Sequence, residues 1–241
     1  MYSENELDLV LKERKPMRGW EHLDEEYLAT IPNLSGVTLK GHFYGNSRLA
    51  NANLCNATLE GDFSNVDFAN AILVKAKLSG ANLQKSGFWL ANLREANLSF
   101  AQAMGADFES ACLSHGTMLG IVATGCDFSL ADLGDADMSV GRFAKARFVS
   151  ANLEEAQLRG ALLVGANLTD ADLKDAGLRN ADLSGCDFTG ANLEGAAIQG
   201  AVASFSTSFL GARMPNGERY RERDESPQET LHRYRVPELD E

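Results

Sequence analysis

From Phe63 to Ala203 every fifth residue falls in one register, and within it Phe returns every twenty residues, at Phe68, Phe88, Phe108, Phe128, Phe148 and Phe188, with Leu168 the one substitute. One period nested inside another describes a coiled chain: each pentad is one short side, four pentads close a turn, and residues twenty apart stack as an internal column. The other three columns are equally consistent. One is all Leu, from Leu73 to Leu193; the next runs Leu78, Leu98, Met118, Met138, Leu158, Leu178, Ile198. The last reads Phe63, Leu83, Ala103, Ala123, Phe143, Leu163, Leu183, Ala203, so its three Ala defects lie on a single side of the coil.

The repeating unit is A-(N/D)-L-x-x, as in Ala81-Asn82-Leu83 and Ala171-Asp172-Leu173. With the large residue at position i, a strand sends i−2 and i to one side and i−1 to the other, whereas a helix would scatter them around its circumference. The pattern predicts a three-residue extended edge with small and large residues inward and the polar residue outward. Asn and Asp suit i−1 because their short side chains bond nearby backbone at turns. The remaining two residues turn a corner, and the frequent Gly at i+2, such as Gly80, Gly120 and Gly160, matches a turn that needs positive φ.

These motifs resemble the pentapeptide repeat family over Pro32 to about Gly217. The resemblance implies an all-β chain, a right-handed quadrilateral β-helix. About nine coils at the spacing of adjacent strands make a rod on the order of 40 Å long. Two register slips bound its regular part: Leu59 to Phe63 is one residue short of a pentad, and one residue is added near Ser204, so that Phe209 takes the Phe role. Upstream, Leu34, Leu39, Tyr44, Leu49, Leu54 and Leu59 keep the five-residue step. Three regions follow: an N-terminal helical cap or arm (1–31), the solenoid (32–217), and a C-terminal cap or tail (218–241). Ser3 with Glu6 and a start at Asp24 predict short helices before Pro32; Ser226-Pro227-Gln228-Glu229 offers an N-cap, an N1 Pro and an N3 Glu for a third, bearing Leu231 and Tyr234.

The chemistry-bearing residues point away from catalysis. His22, His42, His115 and His232 are isolated, and no nucleophile elbow or phosphate-binding Gly loop is present. Cys126 and Cys186 occupy the small inward i−2 position three coils apart, too far for a disulfide; Cys112 points outward and Cys55 sits at a corner. No cofactor, metal or catalytic residue is expected. No stretch approaches a membrane span, and Met1 to Arg14 lacks the basic start and apolar run of a secretory signal, so the cytoplasm is the expected location.

Function is then a matter of surface, and a non-catalytic scaffold for protein–protein interaction is the leading expectation. Trp89 and Leu90 follow an inward Phe, while Phe100, Met104, Leu119 and Val122 fall near one edge on neighbouring coils, an apolar patch of the kind that marks an interface or covers a thin core. Phe205, Phe209 and Leu210 surround the downstream slip and are candidate contacts for a homodimer through the final coil, unless the polar tail after Gly217 covers them. The alternative comes from the family resemblance: some members imitate duplex DNA and occupy the DNA-binding saddle of type II topoisomerases such as DNA gyrase. Asp107, Asp127, Asp132 and Asp137 are the candidate acids for such mimicry. The chain has net charge −12, yet residues 37 to 214 hold 18 acidic against 13 basic residues, only −5. Arg142, Lys145 and Arg147 interrupt the acidic stretches, and members that engage gyrase often carry projecting loops, none of which interrupts this repeat. Direct nucleic-acid binding is not expected of an acidic rod.

Overall fold

Backbone hydrogen bonding in this chain follows one rule, seen in the pentad Ala91–Glu95. Ala91 N–H closes a turn onto the Phe88 carbonyl (2.8 Å), Asn92 N–H bonds back to Ala71 O (2.9 Å), and Leu93 and Glu95 N–H bond forward to Cys112 O and Ser114 O (2.6 and 3.0 Å). The fifth donor, Arg94 N–H, goes to Asn92 Oδ1 at 3.1 Å. All five amides are thus satisfied, one within the turn, three between coils, and one by the outward Asn or Asp; this is the physical reason for the consensus polar residue. A computed structural model describes residues 32–43, 49–220 and 226–234. Within them parallel bridges link outward residues one turn apart, from Asn33↔Asn53 through Asp107↔Asp127 to Asn192↔Arg213. The chain is a β-helix solenoid with four pentads to each turn. Its walls are numbered here by their inward columns: first (Phe68 to Phe188), second (Leu73 to Leu193), third (Leu78 to Ile198) and fourth (Phe63 to Ala203).

Stacking coils on one another stacks like on like. Phe68, Phe88, Phe108, Phe128 and Phe148 form a continuous pile with ring centroids 4.7–5.0 Å apart and planes within 4°. Leu168 interrupts it, and Phe188 resumes with Phe209 at 5.3 Å. On the fourth wall Phe143 turns edge-on to Phe128 and Phe148. Its ring fills the space above Gly141, where a Cβ would stand 2.4 Å from it. The i−2 residues line the interior, and Ser and Cys among them find a backbone partner. Ser86 Oγ donates to Leu83 O at 2.6 Å, and the Cys126 and Cys186 thiols donate to Ala103 O and Leu163 O at 2.8 and 3.1 Å. Burial pushes both thiols up to about 12.

The ends depart from the rule. β1 (Thr38–His42) and β2 (Thr58–Asp62) pair in parallel with Leu39 over Leu59 and Gly41 over Gly61. In both turns the side between the third and fourth columns is one residue short at its corner: Gly41 and Gly61 directly follow a single corner residue and take the i−2 place, Gly61 O accepting Asn82 N as other i−2 carbonyls do. Phe43, not Tyr44, therefore enters the fourth column: its ring stacks on that of Phe63, with centroids 4.6 Å apart and planes nearly parallel. The five-residue step expected from Leu39 to Tyr44 is corrected to four; Tyr44 itself and the predicted helices before Pro32 lie outside the described residues. The chain crowds at this short side, where a Cβ on Gly61 would stand 2.2 Å from Gly41 O and φ is +124°. Downstream, the added residue at Ser204 is absorbed by Thr207, whose hydroxyl accepts from Gly185 N and Ser204 N (3.0 and 3.1 Å) and donates to Leu183 O (3.1 Å).

The last coil is closed by the chain that follows it. After Met214 the backbone reverses, Arg219 pairs antiparallel with Arg213, and Tyr220 N–H bonds Ala212 O. α1 (Pro227–Tyr234) then begins at a reciprocal cap in which Ser226 N–H donates to Glu229 Oε2 (2.7 Å) and Glu229 N–H to Ser226 Oγ (3.3 Å). These Ser226 bonds hold the Glu229 carboxyl below its ordinary pKa. Leu231 and Tyr234 are buried. Gln228 acts as a one-residue strand: its side-chain amide accepts from Ala203 N (2.8 Å) and donates to Ala201 O (3.1 Å), closing the coil edge that an open solenoid leaves bare. Among the described residues no helix is long and apolar enough to cross a membrane.

Two measurements check this architecture. Phe128→Ala is expected to cost about 3–5 kcal/mol in denaturant unfolding, as other buried Phe truncations do. Asp132→Ala, which removes an outward turn acceptor, is expected to cost about 1 kcal/mol, and equal losses would contradict the inward and outward assignment. With pKa values near 12, Cys126 and Cys186 hold on the order of one thiolate in ten thousand at pH 8. They are expected to resist a disulfide reagent until the protein unfolds; rapid labelling of both in the native state would refute their interior placement.

Candidate functional site

Each corner places its i+2 residue at positive φ, the conformation that Gly and Asn adopt most readily. Leu90, Phe100, Leu130 and Val140 nevertheless sit there, at φ 54°, 61°, 60° and 49°. A side-chain-bearing residue in this region costs about 1–2 kcal/mol, and a β-branched one is the rarest occupant. Packing recovers little of that cost, since Phe100 is 58% exposed, Leu130 59% and Val140 55%. Phe100 and Val140 share the corner between the third and fourth walls, where they alternate with Gly80, Gly120 and Gly160. Each leans over the glycine one turn on: a Cβ on Gly120 would stand 2.9 Å from the Phe100 ring, and one on Gly160 3.4 Å from Val140 Cγ1.

The fourth wall breaks a second rule. Its outward column reads Gln102, Val122, Arg142 and Leu162 over four successive turns. None is Asn or Asp, so the amides of Met104, Thr124, Ala144 and Val164 receive no side-chain acceptor of the kind that serves Arg94. Met104, Leu162 and Val164 are exposed, and Leu119 and Val122 are partly buried. Local consistency is lost on this wall without a packing gain, the condition under which a surface role is the physical explanation.

The candidate residues of the apolar patch separate accordingly. Phe100, Leu119 and Val122 come together at the corner of the third and fourth walls, with Met104 at the fourth wall's other edge. Trp89 and Leu90 stand at the diagonally opposite corner, which Leu130 shares two turns on. Leu130 and Val202, both exposed, are additions that the sequence reading passed over; reading the i+2 and i−1 columns for apolar residues finds both. The candidate dimer contact is corrected in one member: Phe209 is 2% exposed, stacked on Phe188 and flanked by Tyr220, so it belongs to the core, while Phe205 and Leu210 stay exposed.

The acids Asp107, Asp127, Asp132 and Asp137 do not form one array: the first two stack on the first wall, Asp132 is on the second and Asp137 on the third. In each, Oδ1 accepts the amide two residues on, at 2.9–3.2 Å, so these carboxylates serve the turns. Asp127 is further neutralised by Arg147 at 3.1 Å, and Asp132 accepts Asn152 Nδ2 at 2.9 Å. Cys112 Sγ lies 3.3 Å from Ser114 Oγ, and partial burial raises the Cys55 pKa. Among the described residues no group of three or more His, Cys, Asp or Glu is placed to hold a metal ion.

Comparison with protein families matches the chain to Pentapeptide repeats, in 8 copies over residues 62–202. Comparison with curated proteins gives no significant match. Among solved structures, HetL, a pentapeptide repeat protein involved in heterocyst differentiation regulation from the cyanobacterium Nostoc sp. Strain PCC 7120, is 24% identical over 78% of this chain and 91% of its own, with a TM-score of 0.45. QnrB1, a plasmid-mediated fluoroquinolone resistance protein, is 20% identical over 71% of this chain and 89% of its own, with a TM-score of 0.38. Rfr23 from the cyanobacterium Cyanothece 51142 is 31% identical over 48% of this chain and 62% of its own, with a TM-score of 0.24. With the family's repeat matched over more than half its length, and the pentad geometry that the repeat encodes, the chain belongs to the pentapeptide-repeat family.

Proposed function

We propose that this chain is a non-catalytic scaffold, a right-handed four-sided β-helix of about nine coils that binds protein through its walls. The observation that carries the reading is the set of large apolar residues held outward at corners where Gly or Asn would be more stable. Phe100 and Val140 each incur a backbone cost and remain more than half exposed. Such residues stabilise a complex when a partner covers them, since aromatic and large apolar side chains at the centre of a contact carry most of its energy. A filled interior agrees with a binding role, because Leu and Phe occupy the volume that an active-site cleft would need.

Mimicry of duplex DNA toward a type II topoisomerase is the family-derived alternative. Duplex DNA of about 40 Å would carry on the order of two dozen phosphate charges, against a net −5 for residues 37 to 214. The acids are spread over three walls, and Asp127 is offset by Arg147. The charge pattern therefore supports the scaffold reading over mimicry.

Affinity capture from native extract tests the scaffold directly. Phe100→Asp with Leu119→Asp is expected to leave the circular dichroism spectrum and melting temperature intact, because Asp tolerates the corner conformation better than Phe, and to abolish partner capture. An unchanged capture profile would refute the role of this corner. In a supercoiling assay with purified gyrase, neither inhibition nor protection is expected at micromolar protein; either effect would favour mimicry.

A further inference from the structure

Charge is distributed around the rod in an unusual way for a protein of net −12. The fourth wall with its two corners comprises residues 79–85, 99–105, 119–125, 139–145 and 159–165 over five successive turns, and these stretches contain no Asp or Glu. They do contain Lys85, Arg142, Lys145 and Arg159, all exposed. Elsewhere on the solenoid the cations are matched: Lys40, Lys75, Arg94, Arg147, Lys174 and Arg213 each lie within 4.0 Å of a carboxylate. Lys77 on the third wall is the one other described solenoid cation without an acidic or other side-chain partner. The second wall and its corner with the third carry the opposite sign, with Glu95, Asp132, Asp135, Glu154, Glu155 and Asp175.

Two of the four cations are also placed by the corner backbone. Lys85 and Lys145 occupy positive-φ corners, at 56° and 58°, and their stems lie over the glycines one turn on, so that a Cβ added at Gly105 or Gly165 would stand 3.8 Å from the Lys Cγ. Long basic side chains that lay their stems along a surface keep the charged head at its edge. Between these heads lie Phe100, Met104, Val140, Leu162 and Val164. The result is an apolar surface on an otherwise acidic rod, with Lys85, Lys145 and Arg159 at its corners and Arg142 in its outward column.

We propose that this fourth wall docks an acidic segment of a partner protein that also carries apolar side chains, the carboxylates meeting Lys85, Arg142, Lys145 and Arg159 and the apolar groups covering the strip between them. The inference rests on the scaffold reading and gives its partner a chemistry. Apolar side chains in the middle of the wall offer nothing to phosphate oxygens, which disfavours nucleic acid. A long polyanion or an anionic membrane would also meet the acidic second wall and the chain's net charge. A short segment feels mainly the wall it touches, because at physiological salt charges beyond about 8 Å are screened. Complementary charge around an apolar contact fixes orientation and rejects wrong partners.

The test uses the full-length protein and a fluorescent amphipathic peptide of Glu and Leu, with a counterpart in which every Glu is Gln, followed by anisotropy. The acidic peptide is expected to bind at least about tenfold more tightly than the Gln peptide, with the difference shrinking as salt rises. Lys85→Gln, Arg142→Gln, Lys145→Gln and Arg159→Gln together are expected to erase that preference. Lys75→Gln, Arg94→Gln, Arg147→Gln and Lys174→Gln, which change net charge equally on other walls, are expected to keep it. The proposal is overturned if the two peptides bind alike, if the preference survives the first set of changes, or if both sets erase it equally. Tighter binding of a short DNA duplex or of phosphatidylserine vesicles than of the acidic peptide overturns it as well, in favour of that ligand. Extract capture that depends on Phe100 and Leu119 without any acidic preference would sink this inference and leave the scaffold standing; an acidic preference without that dependence would keep this inference and remove the role of that corner.

Discussion

Each pentad gives three of its five backbone amides to the coils above and below, and that single commitment governs the rest of the molecule. It fixes the coil spacing near 4.8 Å, as between any paired strands, and requires residues twenty apart to lie directly over one another. Aromatic rings then pile at 4.7–5.0 Å, within the centroid range of offset-stacked pairs. The one amide that neither the turn nor a neighbouring coil can satisfy faces the outward residue, which is why Asn and Asp recur there. In the i−2 positions small side chains clear the neighbouring large one most easily, so Ala, Ser, Cys and Gly dominate that column, with Val66 and Ile121 the larger exceptions, and the two buried thiols are chemically quiet.

Because the backbone and the inward residues carry the stability, the remaining positions are free to vary, and their exceptions are informative. The second wall keeps Asn or Asp at Asn92, Asp132, Asn152, Asp172 and Asn192, and its cations Lys75, Arg94 and Lys174 lie beside carboxylates. Over four turns the fourth wall gives up both, placing Gln, Val, Arg and Leu outward and leaving its cations without acids. Phe100 and Val140 add backbone cost at the adjoining corner. One solenoid thus presents two chemically distinct sides, the arrangement that lets a rigid rod meet a partner in one orientation.

The terminal coil shows how an otherwise endless ladder is stopped. A backbone reversal after Met214, the Gln228 amide and the buried face of α1 take the places that another coil would fill. Closure also explains the fate of Phe209. A hydrophobic residue near a chain end reads equally well as a docking contact or as core, and the distinction depends on whether Tyr220 returns to cover it, which is a matter of long-range geometry. Tyr44 and Phe43 make the same point at the other end. Both are aromatic and adjacent, and the five-residue step favours Tyr44; pairing of β1 with β2 places Phe43 over Phe63 because the neighbouring coil carries the same shortened side.

The sequence by itself determined the four columns, the inward and outward alternation and the corner positions, since a strict period of five nested in twenty leaves a chain with apolar residues at that spacing no other way to bury them together. It also marked the helix cap at Ser226 and Glu229, whose bonds are local. Only the tertiary structure decided which exposed residues stand side by side. Trp89 and Phe100 are close in sequence yet lie at opposite corners, while Lys85 and Lys145 are sixty residues apart and share one edge. Surface neighbours in a solenoid are set by the turn of the coil and by which charges find partners across it, and those are properties of the wound chain.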